Sequence, residues 1–242
     1  MGHYFNPNIV TDGLILNIDA SNLRSYPGSG TAINDLSGQD AHGTINGTVS
    51  FVGAGVSSYW NFATASSANF ISSTKSQAYV DCTIIFQPDF TLTSNGNLVG
   101  LIAASNDATN TDKSMRFKNA NGTGPWQVIA SSGINADDWG NPSTTYYLNG
   151  SAIADGASLV TGWNILGAYR TNQSTFPASF AYFLGTEGFS AAVRDFRGRI
   201  AVCLMYNRQL TAREHAKNYA AFKGRFGLSS GGLSQGGVGG AE

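Results

Sequence analysis

Short runs in which every second residue is apolar recur along this chain, and they limit its fold more than any other feature. A period of two places alternate side chains on opposite faces of a strand, whereas a helix needs a repeat near 3.6. Leu14, Leu16 and Ile18 mark one face, with Asn17 and Asp19 opposite. The pattern returns at Val80, Cys82, Ile84 and Phe86, at Trp126, Val128 and Ala130, at Thr144, Tyr146 and Leu148, and at Phe180, Tyr182 and Leu184. Each run is bounded by Gly, Asn, Asp, Ser or Pro, the punctuation of antiparallel strands joined by turns. The chain is therefore expected to be all-β, a multi-stranded antiparallel sandwich or barrel, with Trp60, Trp126 and Trp163 in its core.

The run from Asp195 to Asn207 is apolar on both faces. Phe196, Ile200, Val202, Leu204 and Tyr206 are expected to point inward. The other face begins with Arg197 and Arg199 and becomes apolar at Ala201, Cys203 and Met205. A strand apolar on both sides needs cover on both sides, so the second face is expected to lie under the next element, with Met205 beneath it. That element is the sole stretch with helical spacing. Thr211 and Glu214 form a capping box, in which each side chain satisfies an orphan backbone N–H. Ala212, Ala216, Tyr219 and Ala220, with His215 and Phe222 alongside, form its apolar stripe, and Gly224 is expected to stop it. Residues 229–242 are Gly-rich. The organisation expected is an N-terminal arm over 1–12, one domain over 13–228 and a tail over 229–242.

Composition narrows the function. Charged residues make up 12%, against roughly 25% in ordinary soluble domains, and the formal net charge is −1. No global field draws nucleic acid or an anionic membrane, and no apolar run is long enough to span a bilayer. The N-terminus lacks the pattern of a secretory signal. Charge is uneven, with 8 acidic and 2 basic residues over 1–112 against 7 and 12 over 113–242. Cys82 and Cys203 are too few for a disulfide framework or zinc site; they read as buried free thiols, with a bridge as the alternative.

Catalytic patterns are missing. A glycoside hydrolase needs two carboxylates converging on one bond, yet the only glutamates are Glu187, Glu214 and Glu242. Asp137 and Asp138 are adjacent, so on a strand they would point to opposite faces. No lysine follows a glycine, which rules out a P-loop, and His3, His42 and His215 lack metal-ligand spacing. Gly232-Leu233-Ser234-Gln235-Gly236 matches a nucleophile pattern but lies in the Gly-rich tail, without the strand and helix it requires. No catalytic residue is assigned. Two binding features remain. Asp137, Asp138 and Trp139 share a loop in which the ring could stack on a sugar and the acids bond its hydroxyls. Asn106, Asp107, Asn110 and Asp112 cluster in another loop as oxygen ligands for calcium; no other cofactor is indicated.

Two blocks of sequence carry a resemblance. The first runs through Gly13-Leu14-Ile15-Leu16-Asn17-Ile18-Asp19-Ala20, Ser25-Tyr26-Pro27-Gly28, Asp35-Leu36-Ser37-Gly38 and Gly43-Thr44. The second comprises Phe196-Arg197-Gly198-Arg199-Ile200-Ala201, Tyr206-Asn207-Arg208-Gln209-Leu210-Thr211, Glu214, Asn218-Tyr219 and Lys223-Gly224-Arg225-Phe226. Together they resemble the LamG-like, concanavalin A-type jelly rolls of tailed-phage structural proteins. The resemblance implies a two-sheet jelly roll closed by a short C-terminal helix, located in a virion on the capsid surface, tail or fibre. It also implies a non-enzymatic role in contacts with other virion proteins and copies of itself. A carbohydrate-binding adhesin is the alternative, with a cell-surface glycan as partner. Ile33 stands where such sequences often have Trp, and Ala63-Thr64-Ala65 where an Asp-Gly pair is usual. The second departure removes an acidic ligand.

Overall fold

The computed structural model describes residues 8–64, 66, 68–73, 75–89, 98–105, 114–119, 126–128, 145–154, 157–169, 181–186 and 196–228; for 98–99, 103–105, 114–119 and 126–128 it describes the backbone. Among these residues the strands are, in order, β1 (Leu14–Asp19), β2 (Ala32–Ile33), β3 (Gly43–Asn46), β4 (Ser50–Val52), β5 (Tyr59–Phe62), β6 (Phe70–Ser72), β7 (Asp81–Pro88) and β8 (Leu98–Ser105). They continue with β9 (Ser114–Asn119), β10 (Trp126–Val128), β11 (Thr145–Leu148), β12 (Ser151–Ile153), β13 (Asn164–Tyr169), β14 (Ala181–Leu184) and β15 (Gly198–Tyr206), followed by the helix α1 (Ala212–Phe222).

One sheet runs β12-β11-β13-β7-β15-β5-β4, with β1 also on β15, and the other runs β10-β9-β8-β14-β6-β3-β2. The strand pairs are antiparallel throughout. The expected two-sheet jelly-roll sandwich is what the chain forms. Its core lies between the sheets, where Trp60, Phe62, Ile84 and Phe86 of one meet Ile71, Tyr182 and Leu184 of the other. Alternation predicted these faces correctly in β7, at Tyr146 and Leu148 of β11, and in β14. Cys82 and Cys203 are free and buried in this core, where desolvation raises both thiol pKa values well above the ordinary range.

Strand β15 departs from the expected parity. Ile200 faces the inter-sheet core, but so do Cys203 and Met205, while Ala201, Val202, Leu204 and Tyr206 face the opposite side. The cause is a bulge at Ala201: Ile200 pairs with Phe86 and Val202 with Ile85, leaving one extra residue. An extra residue shifts the phase, so every later side chain changes face. Met205 is thus a core residue, and Val202, Leu204 and Tyr206 lie on the helix side. The bulge sits where β15 changes neighbours, since Ile200 pairs with Trp60 of β5 and Val202 with Asp19 of β1. A second register shift, between Leu14 and Leu16, turns Leu14 to the helix side while Leu16 and Ile18 stay inside.

Helix α1 covers the outer face of the eight-stranded sheet. Thr211 caps it, and both halves of the expected capping box are present. Its buried residues are His215, Asn218, Tyr219, Ala221 and Phe222, whereas Ala212 and Ala216 of the expected stripe are exposed. Alanines have little apolar area to bury, and the sheet below offers polar groups that His215 and Asn218 meet. Asn218 Nδ2 donates to Thr83 Oγ1 at 3.1 Å and to the Tyr206 hydroxyl at 3.0 Å, and its Oδ1 accepts from Val10 N–H at 2.9 Å. The Tyr206 hydroxyl donates to the Val10 carbonyl at 3.1 Å. The helix ends at Phe222 with Lys223 as its C-cap, so Gly224 follows directly at the expected stop. The left-handed residue, however, is Gly227, with φ +66°, after which Leu228 N–H bonds back to the Lys223 carbonyl.

The two motif blocks meet in space. Asp35 accepts from the backbone N–H groups of Asn17, Ser37 and Ala41 and from the Ser37 hydroxyl, so it closes the Asp-Leu-Ser-Gly turn and ties it to β1. Arg225 grips Asp19 with two bonds of 2.7 and 2.8 Å across 206 residues. Arg208 bridges Asp12 and Glu214 at 2.7 and 2.6 Å.

Candidate functional site

A cleft of about 520 Å³ opens where β5, β7 and β15 run past the loop at Thr161 and Gly162. Its floor follows from strand phase. Trp60, Phe86 and Ile200 form a cross-strand row facing the core, so Asn61, Gln87 and Arg199, in register one residue away, form a row on the other face. Arg197, Asp89 and Thr161 add polar groups to its rim and walls, with Ala63 beside them.

The side chains here are held in place. Arg199 Nη1 donates to Gln87 Oε1 at 3.0 Å, and its guanidinium lies 4.8 Å over the Tyr59 ring. Tyr59 meets Trp163 edge-on at 5.8 Å, and Trp163 meets Phe226 at 4.7 Å. Arg197 Nε pairs with Asp89 Oδ2 at 2.9 Å. Gly198 separates the two arginines because no side chain fits there: its φ is +143°, and a Cβ would lie 2.3 Å from the Gln87 carbonyl oxygen. That close approach brings β15 against β7 and sets both arginines at the cleft.

Chemically the cleft offers amide donors and acceptors, a hydroxyl, two guanidinium groups and one carboxylate. That set suits hydrogen bonding to a polar ligand. Among the described residues the cleft lining holds one acid, Asp89, which is engaged with Arg197, so those residues do not present the opposed carboxylates of a glycosidase. Asp137, Asp138 and Trp139, and the calcium-loop residues Asn106, Asp107, Asn110 and Asp112, lie outside the described residues. Among the described residues, no three His, Cys, Asp or Glu side chains gather as metal ligands. The sequence reading missed the cleft, although Arg197 and Arg199, alternating on a strand of a weakly charged chain, were its visible signal.

A second polar group lies buried under α1. Asp81 Oδ2 accepts from Leu210 N–H at 2.9 Å and sits 3.3 Å from His215 Nε2, close enough for charge pairing but out of line for a hydrogen bond. Desolvation raises the Asp81 pKa, and the His215 contact partly offsets it. Tyr147 stacks on His215 at 4.1 Å. With both acid and imidazole sealed from solvent, this group anchors the helix.

No protein-family model and no curated protein sequence matches the chain. Among solved structures it is similar to Trypanosoma rangeli sialidase in complex with sialic acid, at 12% identity and TM-score 0.54 over 90% of this chain and 34% of that one. It is similar also to the covalent 2,3-difluorosialic acid complex of that sialidase, at 12% identity and TM-score 0.52 over 88% and 34%. The botulinum neurotoxin serotype D ligand-binding domain, with N-acetylneuraminic acid, gives 13% identity and TM-score 0.48 over 87% and 51%. The chain spans about a third of the sialidases' length. At this identity, what is shared with the sialidases is the fold.

Proposed function

We propose that this protein is a non-catalytic glycan-binding β-sandwich that helps a phage particle engage its host surface, with the Asn61–Arg199–Gln87 cleft as its sugar site. The observation that carries the reading is the cleft itself, floored by a row of polar side chains and with a single carboxylate among its described lining residues. Such a surface can bond several hydroxyls at once without supplying both acid and nucleophile. The placement in a phage particle rests on the resemblance of the two motif blocks.

A second reading, favoured by those same blocks, is a virion component whose sandwich serves contacts with other particle proteins or with its own copies. One variant separates the two. Ala63 is an exposed lining residue, so Ala63→Trp should fill the cleft while leaving the core intact. Loss of retention on immobilised bacterial surface glycans, with unchanged incorporation into particles, is the expected result. A wild-type protein that binds no glycan yet assembles into particles would replace the first reading with the second. Release of reducing sugar from any bound glycan would overturn the non-catalytic assignment.

A further inference from the structure

The two arginines of the cleft differ in how their charge is met. Arg197 faces Asp89 at 2.9 Å, so that pair is neutral as a unit. Arg199 has no acidic partner among the described residues; its protein contacts are the Gln87 amide oxygen and the Tyr59 ring. A neutral acceptor and an aromatic face orient a guanidinium without cancelling its charge. The aromatic support is itself fixed, because Tyr59 rests on Trp163 and Trp163 on Phe226. Only Nη1 is used by Gln87, so the edge formed by Nε and Nη2 keeps two parallel N–H donors, the geometry that matches a carboxylate.

Resting on the glycan reading above, we propose that the cleft selects sugars bearing a carboxylate, with the Nε–Nη2 edge of Arg199 as the acid-recognising fork. Asn61, in register with Arg199 on β5, and Thr161 of the facing loop supply bonds to the hydroxyls of the same sugar. The assignment makes a purely neutral oligosaccharide the poorer ligand, since no acid among the described residues meets the oriented Arg199 charge.

The test compares acidic ligands with neutral counterparts. The full chain is titrated with tetragalacturonic acid and its methyl ester, and with sialyllactose, lactose and sulfated lactose. Wild type should prefer each carboxylate over its neutral counterpart by about tenfold, with the preference shrinking as salt rises. Arg199→Gln should bring that ratio close to one. Arg199→Lys, which keeps the charge but not the fork, should lose most of it. Equal wild-type affinity for acid and ester, with both abolished by Ala63→Trp, would overturn this inference and leave the glycan reading standing. A preference for sulfate, or an Arg199→Lys protein that discriminates like wild type, would overturn the carboxylate fork. Absence of binding to every sugar would remove both.

Discussion

At Gly167 in β13 a Cβ would lie 2.3 Å from His215 Nδ1 and 2.7 Å from its Cε1. Neither atom can retreat easily, because the imidazole is stacked on Tyr147 and wedged beside Asp81. The missing side chain in the sheet is thus what lets a large polar ring pack beneath the helix. Gly167→Ala is expected to destabilise the protein by about 1–3 kcal/mol, the usual range for overpacking a filled site. The same substitution in a His215→Ala background should cost markedly less, because the clash has gone. Denaturant melts of the two single variants and the double variant measure the coupling, and additive effects would show that the ring and the glycine do not meet.

On the scale of the element, helix α1 is held by its start as much as by its buried face. Glu214 accepts from Thr211 N–H at 2.8 Å and from Arg208 at 2.6 and 3.1 Å. The Arg208 hydrogen bonds, with the Thr211 backbone contribution after them, draw the Glu214 pKa down to about 2. A depressed carboxylate contributes stability that is fully present above its unfolded value and is lost as pH falls through its folded value. The contribution therefore holds at neutral pH and fades from about 4.5 towards about 2. Because the carboxylate is partly open to solvent, its worth is about 1 kcal/mol. Glu214→Gln should lower stability by that amount at pH 7 and match wild type near the acid end. Parallel wild-type and variant curves across that window would contradict the ion pair's role.

For the molecule as a whole, the decisive contacts join the chain's ends. β1 pairs along the far half of β15, Val10 is satisfied by Asn218 and Tyr206, and Arg225 holds both Asp19 oxygens. The Arg225 and Asp19 side chains are only 15% and 14% exposed, so each charge depends on the other for the solvation it has lost. Removing one partner leaves the other stranded, at a cost of about 2 kcal/mol. Asp19→Asn and Arg225→Gln should each destabilise to this extent, while the double variant should cost less than their sum. Thermal unfolding of the cycle tests this closure, and strict additivity would argue that the ends are joined by apolar contact alone.

The parts legible in the sequence were those set by near neighbours. Alternation at Cys82, Ile84 and Phe86 gave the inward face of β7, the Thr211–Glu214 spacing gave the start of the helix, and Asp35 gave a turn, because these patterns are fixed within a few residues. The face of Met205 was not legible. It depends on one extra residue at Ala201, placed where β15 passes from β5 to β1, and a bulge leaves no mark in alternation itself. The helix was found, but its buried side was chosen by Thr83 and Tyr206, which accept what Asn218 offers. The cleft was hidden for the same reason. Arg199 and Gln87 are 112 residues apart in sequence and become one surface only through strand register, so local chemistry set the elements and pairing between distant strands decided which side chains share a site.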